Sequence, residues 1–190
     1  MTERIRSFIA VPLPEEVRRA VGMTIEELRG FGADVGWVRP ENLHLTLRFL
    51  GEQGERELDR VREALAEATA EASPFTVSLQ GLGAFPLRGT PRVIWVGVAE
   101  GADQLSALQA AVEAALAQRG FRPEERAFHP HLTIGRVRGT RGIQALAGAL
   151  GDEQLFGEAE VAVVHLMRSD LHPGGARYSV LGGFALGGRR

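Results

Sequence analysis

Two short runs in this chain pair an acid–base group with a hydroxyl at strand spacing. The first is His44-Leu-Thr-Leu47 and the second is His131-Leu-Thr-Ile134. An imidazole titrates near neutrality, so it can either take or give a proton there. A threonine two residues away adds a hydroxyl that can donate to a phosphate oxygen. By average composition a His-x-Thr triplet should arise by chance roughly 0.2 times in a chain of this length. Two copies with matching apolar neighbours point to one shared task. Two histidines from separate parts of a chain suit a reaction that removes one proton and donates another.

If each run is a strand, alternate residues share a face. His44, Thr46 and Arg48 then lie together, with Leu43, Leu45, Leu47 and Phe49 on the core side. In the second run His129, His131 and Thr133 share a face, and Leu132 and Ile134 back them. Two such His/Thr faces set opposite each other would grip a phosphodiester from both sides. One neutral histidine would activate the nucleophile and one protonated histidine would protonate the leaving oxygen. The threonines, with help from arginine, would stabilise charge on the transition state. The scheme calls for no metal and no cofactor. Arg48 and Arg136 are candidates for phosphate contact, although strict alternation puts Arg136 opposite His131 unless the strand is bulged. Phe8, Trp37, Phe49 and Tyr178 could stack on a base. His165 and His172 have no matching context and read as structural or exposed.

The elements that must position these residues can be read from periodicity. Strands are expected at 4–11, 35–38, 43–50, 75–82, 92–98, 132–137, 161–171 and 177–186. Helices are expected after Pro14, at 55–72, at 102–118 and at 143–150. Helices alternate irregularly with paired strands, which predicts an α+β fold. The order motif strand, helix, strand occurs at 43–82 and again at 131–171, suggesting a coarse structural repeat.

Length and composition fit one globular domain over residues 1–190, with room for two lobes. The formal net charge is −2, so no global basic field advertises nucleic acid. There is no cysteine, which removes disulfides, thiol nucleophiles and Cys-zinc sites. The N-terminal run is too short to read as a signal peptide, and nothing approaches the ~18 apolar residues of a membrane helix. A cytoplasmic monomer with no membrane partner is the default expectation.

Further stretches support a specific likeness: Arg6–Ala10, Trp37–Gly51, Phe128–Arg136, Leu166–Leu171, then Gly174, Gly175 and Tyr178. Together with the paired motifs, the chain resembles the two-histidine phosphoesterases, and within them the RNA 2′,3′-cyclic phosphodiesterases, also called 2′-5′ RNA ligases. The resemblance implies a bilobal α+β fold with one motif in each lobe, two antiparallel sheets facing a central cleft and helices outside. It implies hydrolysis of a terminal 2′,3′-cyclic phosphate on RNA to a 2′-phosphate. It makes His44 the proton donor and His131 the proton acceptor, a division the symmetry of the motifs does not itself decide. Thr46 and Thr133 would bind the phosphate. The reverse chemistry would allow weak 2′-5′ ligation.

Other readings stay open on the residues alone. The substrate could be a small cyclic nucleotide or a 2′-5′ oligonucleotide. His129-x-His131 has the spacing of two zinc ligands, with His44, His165, His172 or a carboxylate as a third. A non-catalytic module that binds RNA ends is the last alternative.

Overall fold

Strand and helix periods set the elements, and turn residues separate them. The computed structural model describes residues 4–187. In chain order the strands are β1 (Ile5–Pro12), β2 (Val35–Trp37), β3 (His44–Gln53), β4 (Phe75–Phe85), β5 (Val93–Val98), β6 (His131–Val137), β7 (Leu155–Val161), β8 (Val163–His172) and β9 (Gly175–Ala185). The α-helices are α1 (Glu15–Arg29), α2 (Glu55–Ala70), α3 (Ala102–Gln118) and α4 (Ile143–Ala147). A 3-10 turn, Pro40–Asn42, leads into β3.

Each amphipathic helix turns one stripe inward. Val17, Val21, Ile25 and Leu28 do so in α1, and Leu58, Val61 and Leu65 in α2. In α3 the stripe is Leu105, Leu108, Val112 and Leu116. Glu15 and Glu16 sit in the first turn of α1, where the helix dipole favours acidic side chains.

The strands form two sheets. One has four strands in the order β3-β1-β8-β9, and the other has five in the order β2-β6-β5-β4-β7. Every neighbouring pair is antiparallel. The fold is the expected α+β arrangement of two antiparallel sheets, with one motif strand in each. Ile9, Val11, Leu45 and Leu47 bury the back of the first sheet, and Ile94, Val96, Leu132 and Ile134 that of the second.

The structure corrects one expected element and refines the expected repeat. The stretch 155–161 was not expected as a strand, yet β7 pairs with β4. A register shift skips Phe156 in that pairing, so this buried residue is out of step with the short alternation Glu158–Val161 and the strand shows no continuous period of two. The coarse repeat holds in element order, β3-α2-β4 and β6-α4-β7, but its first copy crosses between sheets. After its motif strand β3 in the four-stranded sheet, the chain passes through α2 to β4 in the five-stranded sheet. What recurs in each sheet is an antiparallel pair of motif strand and partner, β3 with β1 and β6 with β5.

Candidate active site

The two motif strands share a local irregularity that decides which side chains reach the cleft. In β3, Thr46 pairs with Ala10 but Arg48 pairs with Ile9, so Leu47 is an extra residue. In β6, Thr133 pairs with Trp95 but Gly135 pairs with Ile94, so Ile134 is extra. Each is a β-bulge at the fourth residue of the motif, and it reverses the facing of the residues that follow, in β3 as far as a second register shift at Leu50. Leu47 and Ile134 are both buried.

This corrects the expected placement of Arg48. It lies on the face of Ile9, away from His44, and its Nη1 donates to both oxygens of Glu113 at 2.9 and 3.2 Å. Its Nη2 donates to the Arg122 carbonyl at 2.6 Å. Arg48 therefore ties β3 to α3 and the loop after it. Phe49 takes the cleft face instead, 6.1 Å from the Phe8 ring. In the second strand the same parity change brings Arg136 to the side of His131 and Thr133. The bulge that the sequence required for this role is present.

Both imidazoles open their strands and are held alike. His44 Nδ1 lies 2.6 Å from the Asn42 carbonyl, and His131 Nδ1 lies 2.6 Å from the His129 carbonyl. A carbonyl only accepts, so each Nδ1 carries a hydrogen and each Nε2 is left for the cleft. Neutral, that Nε2 accepts a proton; charged, it donates one. Asn42 is itself anchored, because its Nδ2 donates to the Ala176 carbonyl at the start of β9 at 2.9 Å. Arg39 also donates to the Gly174 carbonyl.

Aromatic rings frame each histidine. His44 sits 4.8 Å from Phe8 and 5.4 Å from Tyr178 between ring centroids. His131 meets Phe85 edge-on at 5.2 Å. Phe8, Phe49 and Tyr178 thus border the His44 side, whereas Trp37 packs toward the core beneath Gly135. His129 is exposed; its carbonyl holds His131.

Burial pulls the His44 pKa below its ordinary value, and its bond to the Asn42 carbonyl opposes the shift. His131 is lowered too, first by burial and then by the positive charges of His129 and Arg136, against its own carbonyl bond. Arg136 of β6 also acts on Tyr178 of β9, whose pKa burial raises and nearby arginines oppose. The motif strands β3 and β6 also pack against each other, so the two sheets meet along one cleft. Thr46 and Thr133 are half-buried on its walls, and neither hydroxyl has a hydrogen-bond partner among the described residues.

A pocket of about 340 Å³ adjoins His44, bordered by Arg18, Glu41, His165, Met167 and Tyr178. His165 was read from sequence as structural or exposed. It is half-buried and in register with Ala10, which pairs with Thr46. Only strand pairing reveals that neighbourhood. The zinc reading loses its ligand set: among the described residues no three His, Asp or Glu side chains converge on a common point.

Two imidazoles, each two residues from a threonine whose hydroxyl has no partner among the described residues, are presented from separate antiparallel sheets, which is the arrangement expected of a two-histidine phosphoesterase. Residues 13–173 match the 2′-5′ RNA ligase superfamily. An RNA 2′,3′-cyclic phosphodiesterase of Methanothermobacter thermautotrophicus is 39% identical, with 96% of this chain and 100% of that protein covered. A protein of the same name from Archaeoglobus fulgidus is 41% identical over 93% of this chain and 98% of its own length. The crystal structure of E. coli LigT complexed with 3′-AMP superposes with a TM-score of 0.76 at 26% identity, covering 97% of this chain and 99% of LigT. This chain belongs to the 2′-5′ RNA ligase superfamily.

Proposed function

We propose that this protein hydrolyses the 2′,3′-cyclic phosphate at the end of an RNA, leaving a 2′-phosphate and a free 3′-hydroxyl. The observation that carries the reading is the pair of motif-strand imidazoles, each held at Nδ1 by a backbone carbonyl so that its Nε2 remains for proton transfer. The activity named for its relatives supports the substrate class.

In this scheme the phosphate lies between the two histidines. His131 takes a proton from water as the water oxygen bonds to phosphorus. The bond from phosphorus to O3′ breaks, and His44 protonates the departing O3′. One water is consumed, and the two histidines exchange protons with solvent to restore the starting state. The charges of His129 and Arg136 favour neutral His131, which suits a base. No such cation lowers His44, and a bound phosphodiester anion would favour its protonated form. Thr46, Thr133 and Arg136 donate to the non-bridging oxygens, where negative charge grows in the transition state. With an RNA 5′-hydroxyl in place of water, the same transfers form a 2′-5′ linkage. Both motifs come from one chain, so a monomer completes the site.

The test is an RNA ending in a 2′,3′-cyclic phosphate, with product analysis. His44→Ala and His131→Ala should each lose about 10²- to 10⁴-fold in rate. Full activity in either variant, or a 3′-phosphate product, overturns the reading. Tight binding of the RNA end by wild type without turnover favours the non-catalytic module instead.

A further inference from the structure

The pocket beside His44 has a chemistry that phosphate hydrolysis alone does not use. Its walls come from β1, α1, the turn before β3, the start of β3, β8 and β9. None comes from the five-stranded sheet that carries His131. Whatever fills it extends from the reacting phosphate on the His44 side only.

Arg18, in the first turn of α1, is the arginine on its wall. The guanidinium has no ion pair or hydrogen bond among the described residues, and its Nε is fully shielded from solvent without a partner. By contrast, Arg29, Arg48, Arg60, Arg62, Arg119 and Arg122 all pair with carboxylates. A half-buried cation without a counterion is suited to receive an anion from the ligand. Glu41 also borders the pocket but is exposed and forms no ion pair with Arg18. His165 and Tyr178 add groups that can hydrogen-bond to the ligand.

We propose that this pocket is a second anion subsite, in which Arg18 binds the internucleotide phosphate immediately 5′ of the cyclic phosphate. The inference rests on the cyclic-phosphodiesterase reading. In an in-line displacement, water approaches opposite the leaving O3′. If His44 protonates O3′, the ribose lies on the His44 side, and C4′ and C5′ carry the chain toward this pocket. The first charged group along that path is the internucleotide phosphate. The enzyme thereby distinguishes an RNA chain end from a free cyclic mononucleotide.

Three substrates test this: a nucleoside 2′,3′-cyclic phosphate with a 5′-hydroxyl, a dinucleotide ending in the same group, and that dinucleotide with a neutral methylphosphonate linkage. Wild type should prefer the phosphate-linked dinucleotide by about 10- to 100-fold in kcat/KM. Arg18→Gln should lose this preference while its mononucleotide rate stays within about twofold of wild type, and Arg18→Lys should keep part of it. The methylphosphonate should cost wild type the same factor and cost Arg18→Gln nothing further. Equal losses on mononucleotide and dinucleotide, or no loss on the dinucleotide, overturn the subsite. If wild type turns over none of the three, the activity reading fails, and calorimetric binding then judges the subsite. Tighter binding of the phosphate-linked dinucleotide by wild type than by Arg18→Gln supports it, and equal binding overturns it.

Discussion

The paired bulges assign opposite tasks to Arg48 and Arg136, and two substitutions separate them. Arg48→Ala removes a guanidinium whose side chain is 11% exposed and whose partner Glu113 is 18% exposed. Breaking a fully buried ion pair by deleting one partner costs about 3–5 kcal/mol. This pair lies at the protein edge with residual solvent screening, which reduces the cost to about 2–3 kcal/mol. In a chain of this size that lowers Tm by about 5–10 °C. Folded Arg48→Ala should still turn over cyclic-phosphate RNA at the wild-type rate, and Glu113→Gln should reproduce its loss of Tm. Arg136 is exposed on the cleft, so Arg136→Ala should shift Tm by no more than about 2 °C. Its kcat/KM should fall about 10- to 100-fold through loss of a charged phosphate contact. Arg136 also holds the His131 pKa down, so its removal raises that pKa. The acidic limb of the kcat/KM profile should then move to higher pH, because the base must be neutral. Thermal melts and pH–rate profiles on the same preparations decide the matter. Lost turnover with unchanged Tm in Arg48→Ala, or unchanged turnover in Arg136→Ala, would refute the assigned facing.

Two further outcomes follow from the site. Asn42→Ala deletes the bond to the Ala176 carbonyl and loosens the backbone that orients His44. It should cost about 1 kcal/mol of stability and lower kcat about tenfold with little change in KM, whereas a purely structural role would leave kcat per folded molecule intact. Burial lowers the pKa of both His44 and His165 in the fold, so the unfolded chain binds their protons at higher pH. Stability should therefore fall as pH drops below about 6.5, and His165→Gln should flatten that slope in pH-dependent melts.

Much of this molecule was legible because its signals are local. Helical spacing marks α1, α2 and α3, and alternation marks β3 and β6 up to their threonines. The duplicated His-x-Thr singled out both catalytic candidates, since two residues of strand always return a side chain to the same face. Beyond Thr46 and Thr133 that rule ends. Local alternation placed Arg48 beside His44 and Phe49 in the core, and the bulges reverse both.

The sequence by itself determined the two His/Thr pairs, the apolar residues behind them and an α+β fold to carry them. Only the tertiary structure decided that Arg136 reaches the cleft and Arg48 does not. A bulge is a property of two strands in register, and neither strand records it alone. Tertiary structure likewise brought Arg18 and His165 to one pocket with His44. They lie on α1 and β8, and their proximity to β3 arises when β1 pairs with both β3 and β8 and the turn at Pro12–Pro14 starts α1 beside them.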